Sequence, residues 1–150
     1  MGVDFMVLFI TTNILFVSAR VLDYVDCGST VQVTSVSMEP CILIPCELIK
    51  ASRTTIRIQF TTDENVGSAG DAGFYGIFEE MTFPFMVWEP QFCGDLQQGC
   101  PLRPGRSYVY RKDVYTSPAY PDIQLTGRWV LKNNAGEPMV CVEFPIQIVR

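Results

Sequence analysis

Six cysteines, Cys27, Cys41, Cys46, Cys93, Cys100 and Cys141, constrain the fold of this chain more than any other feature. All of them follow an apolar amino-terminal stretch, residues 5–17 (FMVLFITTNILFV), which is too short and too near the terminus for a membrane span and reads as a secretory leader. The segment ahead of it carries Asp4 and no Lys or Arg, unlike most leaders. Val17, Ser18 and Ala19 form a small-residue end before Arg20, so residues 1–19 are read as a signal peptide and 20–150 as a single mature domain. A leader implies an oxidising destination, extracellular or, as the alternative, the lysosomal lumen. An even set of cysteines there reads as three disulfides. Spacing alone leaves fifteen pairings open.

The same residue inventory removes several functions. The chain has no histidine, so nucleophilic catalysis lacks its usual base, and paired cysteines leave no free thiol. The cysteine spacings, C-x4-C and C-x6-C, are not those of a zinc knuckle, so neither a metal nor a cofactor is expected. Adjacent acids, Asp63 with Glu64 and Glu79 with Glu80, would point to opposite faces of a strand and make a poor catalytic dyad. The net charge is −5, and loss of Asp4 with the leader leaves −4, a surface that repels phosphate backbones and excludes a nucleic-acid partner. Arg103, Arg106, Arg111 and Lys112 are the candidates for meeting an anionic head group; their plainer role is solvated charge.

Period-two alternation runs through the mature chain. Residues 54–61 put Ile56, Ile58 and Phe60 on one face, and 123–132 put Ile123, Leu125, Trp129 and Leu131 on one face, interrupted by Gly127. Residues 140–148 turn Val140, Val142, Phe144, Ile146 and Ile148 inward, with Pro145 predicting an edge strand or a bulge. Weaker strand patterns span 31–37, 74–78 and 107–112, where Tyr108 and Tyr110 share a face. Turn clusters lie at 63–73, 101–105, 117–122 and 132–138. About seven short strands of this kind predict an all-β fold, an immunoglobulin-like antiparallel β-sandwich without the Cys-Trp-Cys spacing of antibody domains.

The surroundings of the cysteines carry a resemblance. Asp26-Cys27-Gly28-Ser29, Pro40-Cys41 with Pro45-Cys46, Cys93-Gly94 with Gly99-Cys100-Pro101-Leu102, Tyr120-Pro121, Trp129, and Cys141 with Phe144-Pro145 occur in an order that resembles the ML lipid-recognition family, sterol-transfer proteins and mite allergens among them. The match runs from Asp26 to Val149. It implies two sheets parted by an apolar cavity and bridges joining Cys27 to Cys141, Cys41 to Cys46 and Cys93 to Cys100. It also implies a mouth gated by an aromatic before a proline and by a tyrosine before a proline. Phe83 before Pro84 and Tyr120 before Pro121 fill these places, and Thr116 stands where the relatives carry an apolar gate residue. No Asn-x-Ser/Thr glycosylation acceptor is present.

On that resemblance the expected ligand contacts are Phe83, Phe85, Tyr110, Thr116, Tyr120, Pro121 and Trp129, with Ile58 and Phe60 on the facing strand. Within residues 83–88, Phe83 is weighed evenly between pocket lip and core, and Trp88 is read as core. A cavity of about 300 Å3 would cost on the order of 7 kcal/mol in lost packing at roughly 24 cal/mol per Å3. Disulfides and bound lipid would offset it. Burying about sixteen methylenes supplies on the order of 13 kcal/mol before association costs. The expected function is a secreted, monomeric carrier of a sterol, fatty acid or related lipid, touching membranes or a receptor transiently. A lipid-sensing innate-immune protein acting with a receptor is the alternative, and an acidic total suits lipid A poorly.

Overall fold

In the computed structural model, which describes residues 18–150, the alternating segments become strands whose dry faces close on one another. The leader expected over 1–19 lies, for residues 1–17, outside the described residues. The strands are β1 (Arg20–Val21), β2 (Val25–Asp26), β3 (Gln32–Glu39), β4 (Cys46–Ile49), β5 (Arg53–Thr61), β6 (Ala69–Phe78), β7 (Met81–Phe85), β8 (Ser107–Tyr115), β9 (Ile123–Asn133) and β10 (Pro138–Val149), with a short 3-10 helix at Phe92–Asp95. One sheet has the order β1-β3-β5-β8, and the other β2-β10-β9-β6-β7, with β4 also on β10. The pairings are antiparallel except that of β4 with β10, which is parallel. Among the described residues no helix is long and apolar enough to cross a membrane.

The clean alternations land where the pattern put them. On β5, Ile56, Ile58 and Phe60 are buried, and on β10 Val140, Val142, Phe144, Ile146 and Ile148 are buried. Pro145 is neither on an edge strand nor at a bulge. It faces Thr126 of β9 on one side, while on the other it falls between the residues paired with β2 (Val142, Glu143) and those paired with β4, which begin at Ile146. A residue without an N–H fits such a gap between two partial neighbours. The irregularity of β10 lies instead between Pro138 and Val140.

Strand β6 begins inside the segment read as a turn cluster. A Cβ on Gly70 would come within 2.3 Å of the Asn133 carbonyl oxygen, so glycine here permits close backbone approach within the sheet and does not mark a turn. The turn after β9 is as expected: Asn133 Oδ1 accepts hydrogen bonds from the Ala135 and Glu137 amides, and Gly136 has φ 81°.

Three bridges join Cys27 to Cys141, Cys41 to Cys46 and Cys93 to Cys100. The first ties β2 to β10, where the Cys27 amide also donates to the Cys141 carbonyl. The second closes the connection from β3 in one sheet to β4 in the other. The third closes part of the long connection between β7 and β8.

Candidate ligand site

Strand β7 forms the rim of the larger sheet and pairs only with β6. Alternation puts Met81, Phe83 and Phe85 on one face; Phe85 is buried, Phe83 half-buried and Met81, at the hairpin end, exposed. Phe83 lies opposite Gly76, which in turn lies opposite Gly127 of β9. The pair of glycines removes two side chains from the middle of the sheet. A Cβ on Gly76 would meet the Phe83 ring at 2.7 Å, and one on Gly127 would meet the Phe74 and Phe144 rings at 3.1 and 3.2 Å. The Gly127 that interrupts the strand pattern is therefore a place where rings pack against backbone.

From this rim a continuous run of aromatic rings leads inward. Phe83 meets Phe85 edge-on at 5.7 Å, and Tyr120 meets Phe85 edge-on at 5.3 Å. Phe85 stacks on Phe74 at 4.7 Å, Phe74 meets Trp129 at 5.0 Å, and Trp129 meets Tyr110 at 5.9 Å. Phe92 closes the run at 6.1 Å from Tyr110. Offset and edge-to-face contacts of this kind hold the rings together beyond simple burial. Tyr120 reaches Phe85 because the loop before β9 is folded by its own bonds: the Ala119 amide donates to Ser117 Oγ and the Tyr120 amide to the Ser117 carbonyl.

The inner end of the run joins the two sheets, since Tyr110 is on β8 and Trp129 on β9. Both are 0% exposed, and neither Tyr110 Oη nor Trp129 Nε1 has a hydrogen-bond partner. Burial, with the charge of Asp95 adding to it, pushes the Tyr110 phenol well above its ordinary range, so it is a neutral hydroxyl. The Trp129 N–H opposes that rise slightly, yet it misses hydrogen-bond geometry to the phenol oxygen.

Among the described residues, the inner part of the cavity expected between the sheets is closed. Tyr110, Trp129, Ile58, Val36 and Val142 have no accessible surface, so no water-sized space adjoins them.

The structure brings Phe83, Phe85, Tyr110, Tyr120 and Trp129 into one run of contacts. Ile58 pairs with Tyr110 in register and lines the same interior. Phe60 is inward but stacks on Tyr108 at 5.7 Å, toward the end of β5 away from the 116–122 loop. Thr116 is buried just after β8, and its backbone exchanges hydrogen bonds with Ala51 and Ser52. Pro121 is exposed and does not turn inward. Trp88 is 71% exposed and not core: it lies past the end of β7 at Phe85, in a bend with Glu89 at a positive φ of 49°, where strand alternation no longer applies. Sequence reasoning missed Phe74 and Phe92 as part of the site; Phe74 was legible only as a strand residue and Phe92 gave no periodic signal.

Two surface hollows lie beside the cationic residues. One of about 600 Å3 is lined by residues of 98–108, Arg103 and Arg106 among them, and one of about 370 Å3 by Trp88, Arg111 and Lys112. Lys112 Nζ is held by Asp95 at 3.0 Å and by the Glu89 carbonyl at 2.9 Å. Among the described residues no group of three His, Cys, Asp or Glu side chains is placed to hold a metal.

Comparison with known proteins gives this geometry its context. The ML domain family model matches residues 21–148. An ecdysteroid-regulated 16 kDa protein of Manduca sexta is 33% identical over 95% of this chain and 99% of its own length. The NPC intracellular cholesterol transporter 2 of Mus musculus is 32% identical over 87% of each chain. Among solved structures, a Niemann-Pick type C2 protein from Japanese carpenter ant shares the fold with a TM-score of 0.73 at 24% identity, over 85% of this chain and 99% of that one.

Proposed function

The chain belongs to the ML-domain family, and from that premise we propose that it is a secreted lipid or sterol carrier, not an enzyme, which takes its ligand in at Phe83 and Tyr120 and lodges it between the two sheets. The observation that carries the mouth is the unbroken run of rings from half-buried Phe83 and Tyr120 to fully buried Trp129 and Tyr110. Curated relatives named as cholesterol transporters support the class of ligand.

Closed packing makes ligand uptake a matter of displacement. A ligand of about 300 Å3 must push rings aside, and β7 is the element that yields first, since it is bonded on one side only. The bound ligand replaces ring-to-ring contacts with ring-to-lipid contacts of the same apolar kind, so the penalty of an empty cavity is never met in full. Delivery to a membrane or partner protein reverses the same movement.

Native mass spectrometry of oxidised protein purified from a secreting host, with lipid identification, tests this reading. Recovery of a sterol, fatty acid or related lipid at one per chain is expected. A protein that is folded and fully bridged but takes up none of these, even after incubation with lipid vesicles, is no carrier.

A further inference from the structure

Tyr110 Oη and Trp129 Nε1 are buried in an apolar interior, near enough for the indole N–H to act on the phenol but short of hydrogen-bond geometry, and neither has another partner. Buried hydroxyl and indole N–H groups are nearly always hydrogen-bonded, so two orphans on touching rings need a reason. They come from opposite sheets, with ring centroids 5.9 Å apart and planes inclined at 49°. A molecule inserted between the sheets would meet both. Resting on the carrier reading above, we infer that the ligand is an apolar molecule with one neutral oxygen, a ketone or hydroxyl, that sits at the inner end of the slot and is bonded by Tyr110 and Trp129.

The chemistry of the donors narrows the group. Indole N–H only donates, and a neutral phenol donates or accepts. A carbonyl oxygen with two lone pairs can accept from both, and a hydroxyl can accept from Trp129 while donating to Tyr110. A carboxylate is refused there by two features. Its charge would be buried among residues with no accessible surface, and Asp95 already raises the phenol through its own negative charge. Lys112, the cation two residues along the strand from Tyr110, is taken by Asp95 and the Glu89 carbonyl. A fatty acid therefore enters tail first and leaves both donors unsatisfied, whereas a ketone or alcohol reaches them with its oxygen.

Competition against a fluorescent hydrophobic probe, on the oxidised protein, measures this with a long-chain methyl ketone, the alcohol and alkane of the same length, and the matching carboxylate. The ketone and alcohol are expected to bind roughly tenfold tighter than the alkane and the carboxylate. Tyr110→Phe keeps the ring and deletes the hydroxyl. It should remove most of that preference, read as the ratio of ketone to alkane affinity within the variant, with thermal stability unchanged or slightly raised, since the lost hydroxyl had no partner. In the unaltered protein, the slowly exchanging indole N–H resonance of buried Trp129 should shift downfield with the ketone and stay in place with the alkane; exposed Trp88 is the internal control. Equal affinity for ketone and alkane, or an unmoved Trp129 resonance, overturns the inference and leaves the carrier intact. Failure of all four probes to bind overturns both.

Discussion

The Phe83 ring lies against the backbone of Gly76, so close that a Cβ on that glycine would stand 2.7 Å from the ring and 2.6 Å from Leu125 Cδ1. The half-buried ring at the rim is thus seated by the absence of a neighbouring side chain. Gly76→Ala must move Phe83 and Leu125, and a loss of about 1–3 kcal/mol is expected from denaturant unfolding. In a Phe83→Ala background the same change should cost less by at least about 0.5 kcal/mol. Additive losses would show that Phe83 does not rest on Gly76.

A charge at the rim should spoil uptake. Phe83→Asp places a carboxylate against Phe85 and beside the ligand path, and a fall of at least about tenfold in lipid affinity is expected by fluorescence titration. Unchanged affinity together with unchanged stability would move the mouth away from β7.

The β6–β7 hairpin turns through Glu79 and Glu80, both at positive φ, 47° and 67°. Hairpin turns of this hand favour Asn followed by Gly, and a glutamate in the left-handed region costs about 1–2 kcal/mol. Glu79→Asn with Glu80→Gly should raise stability by about 1 kcal/mol and slow lipid uptake, because the rim strand opens less often. Thermal unfolding and stopped-flow loading report the two effects separately, and faster loading of the stiffened hairpin would argue against displacement of β7.

Stability and affinity should be level between about pH 5.5 and 8, since the chain has no histidine to titrate there. Partial burial of Asp26 opposes its charge, but hydrogen bonds from the Ser29 and Gly28 amides prevail and hold its carboxyl below the ordinary 3.8. The hydrogen bond from Lys50 holds Asp122 below 3.8 as well. A depressed folded value contributes stability that is present above about 3.8 and lost as pH falls through the lower folded value. Tyr110 acts in the opposite sense: its raised value contributes stability below the ordinary 10.0 that is lost as pH rises beyond it. Denaturant unfolding across pH should therefore give a plateau with an acid and an alkaline shoulder, and Asp26→Asn should reduce the acid one. A decline beginning between pH 7 and 5.5 would contradict this account.

Loop length ranks the bridges. In the chain-entropy model, the bridge between Cys27 and Cys141, separated by 114 residues, contributes roughly 4–5 kcal/mol, and that between Cys93 and Cys100, separated by 7, roughly 2 kcal/mol. Replacing each pair by alanine and measuring unfolding should preserve that order. A larger loss from the short loop would mean that Cys93 and Cys100 position Phe92 more than they restrain the unfolded chain.

The long strands were legible because each has one wet and one dry face, as the alternation on β5 and β10 declares. The short ones were not. β4 runs parallel to β10 over four residues, and β1 and β2 have two residues each, too few for a period to register. β7 was read only as an apolar cluster, since Phe83, Phe85, Met86 and Val87 crowd around Pro84 without alternating; Pro84 is tolerated because the strand is at the rim. For the site, resemblance supplied Phe83 and Tyr120, and patterning put Tyr110 and Trp129 inward. Neither could place Phe74 between Phe85 and Trp129, because that contact exists only once β6, β7 and β9 lie side by side. Closure of the interior was equally invisible, since a greasy inward face reads the same whether it lines a void or a packed seam.

Trp129 stands on β9, flanked by β10 and β6, whereas Tyr110, Phe83 and Tyr120 are on border strands or a loop. A ligand lodged between the sheets as proposed would consequently meet a floor held on both sides and walls held on one. Cargo size can be retuned at the periphery, by altering β7, β8 or residues 116–122, without disturbing the interior sheet order that keeps the molecule folded. A scaffold arranged this way can diversify what it encloses while its architecture stays the same.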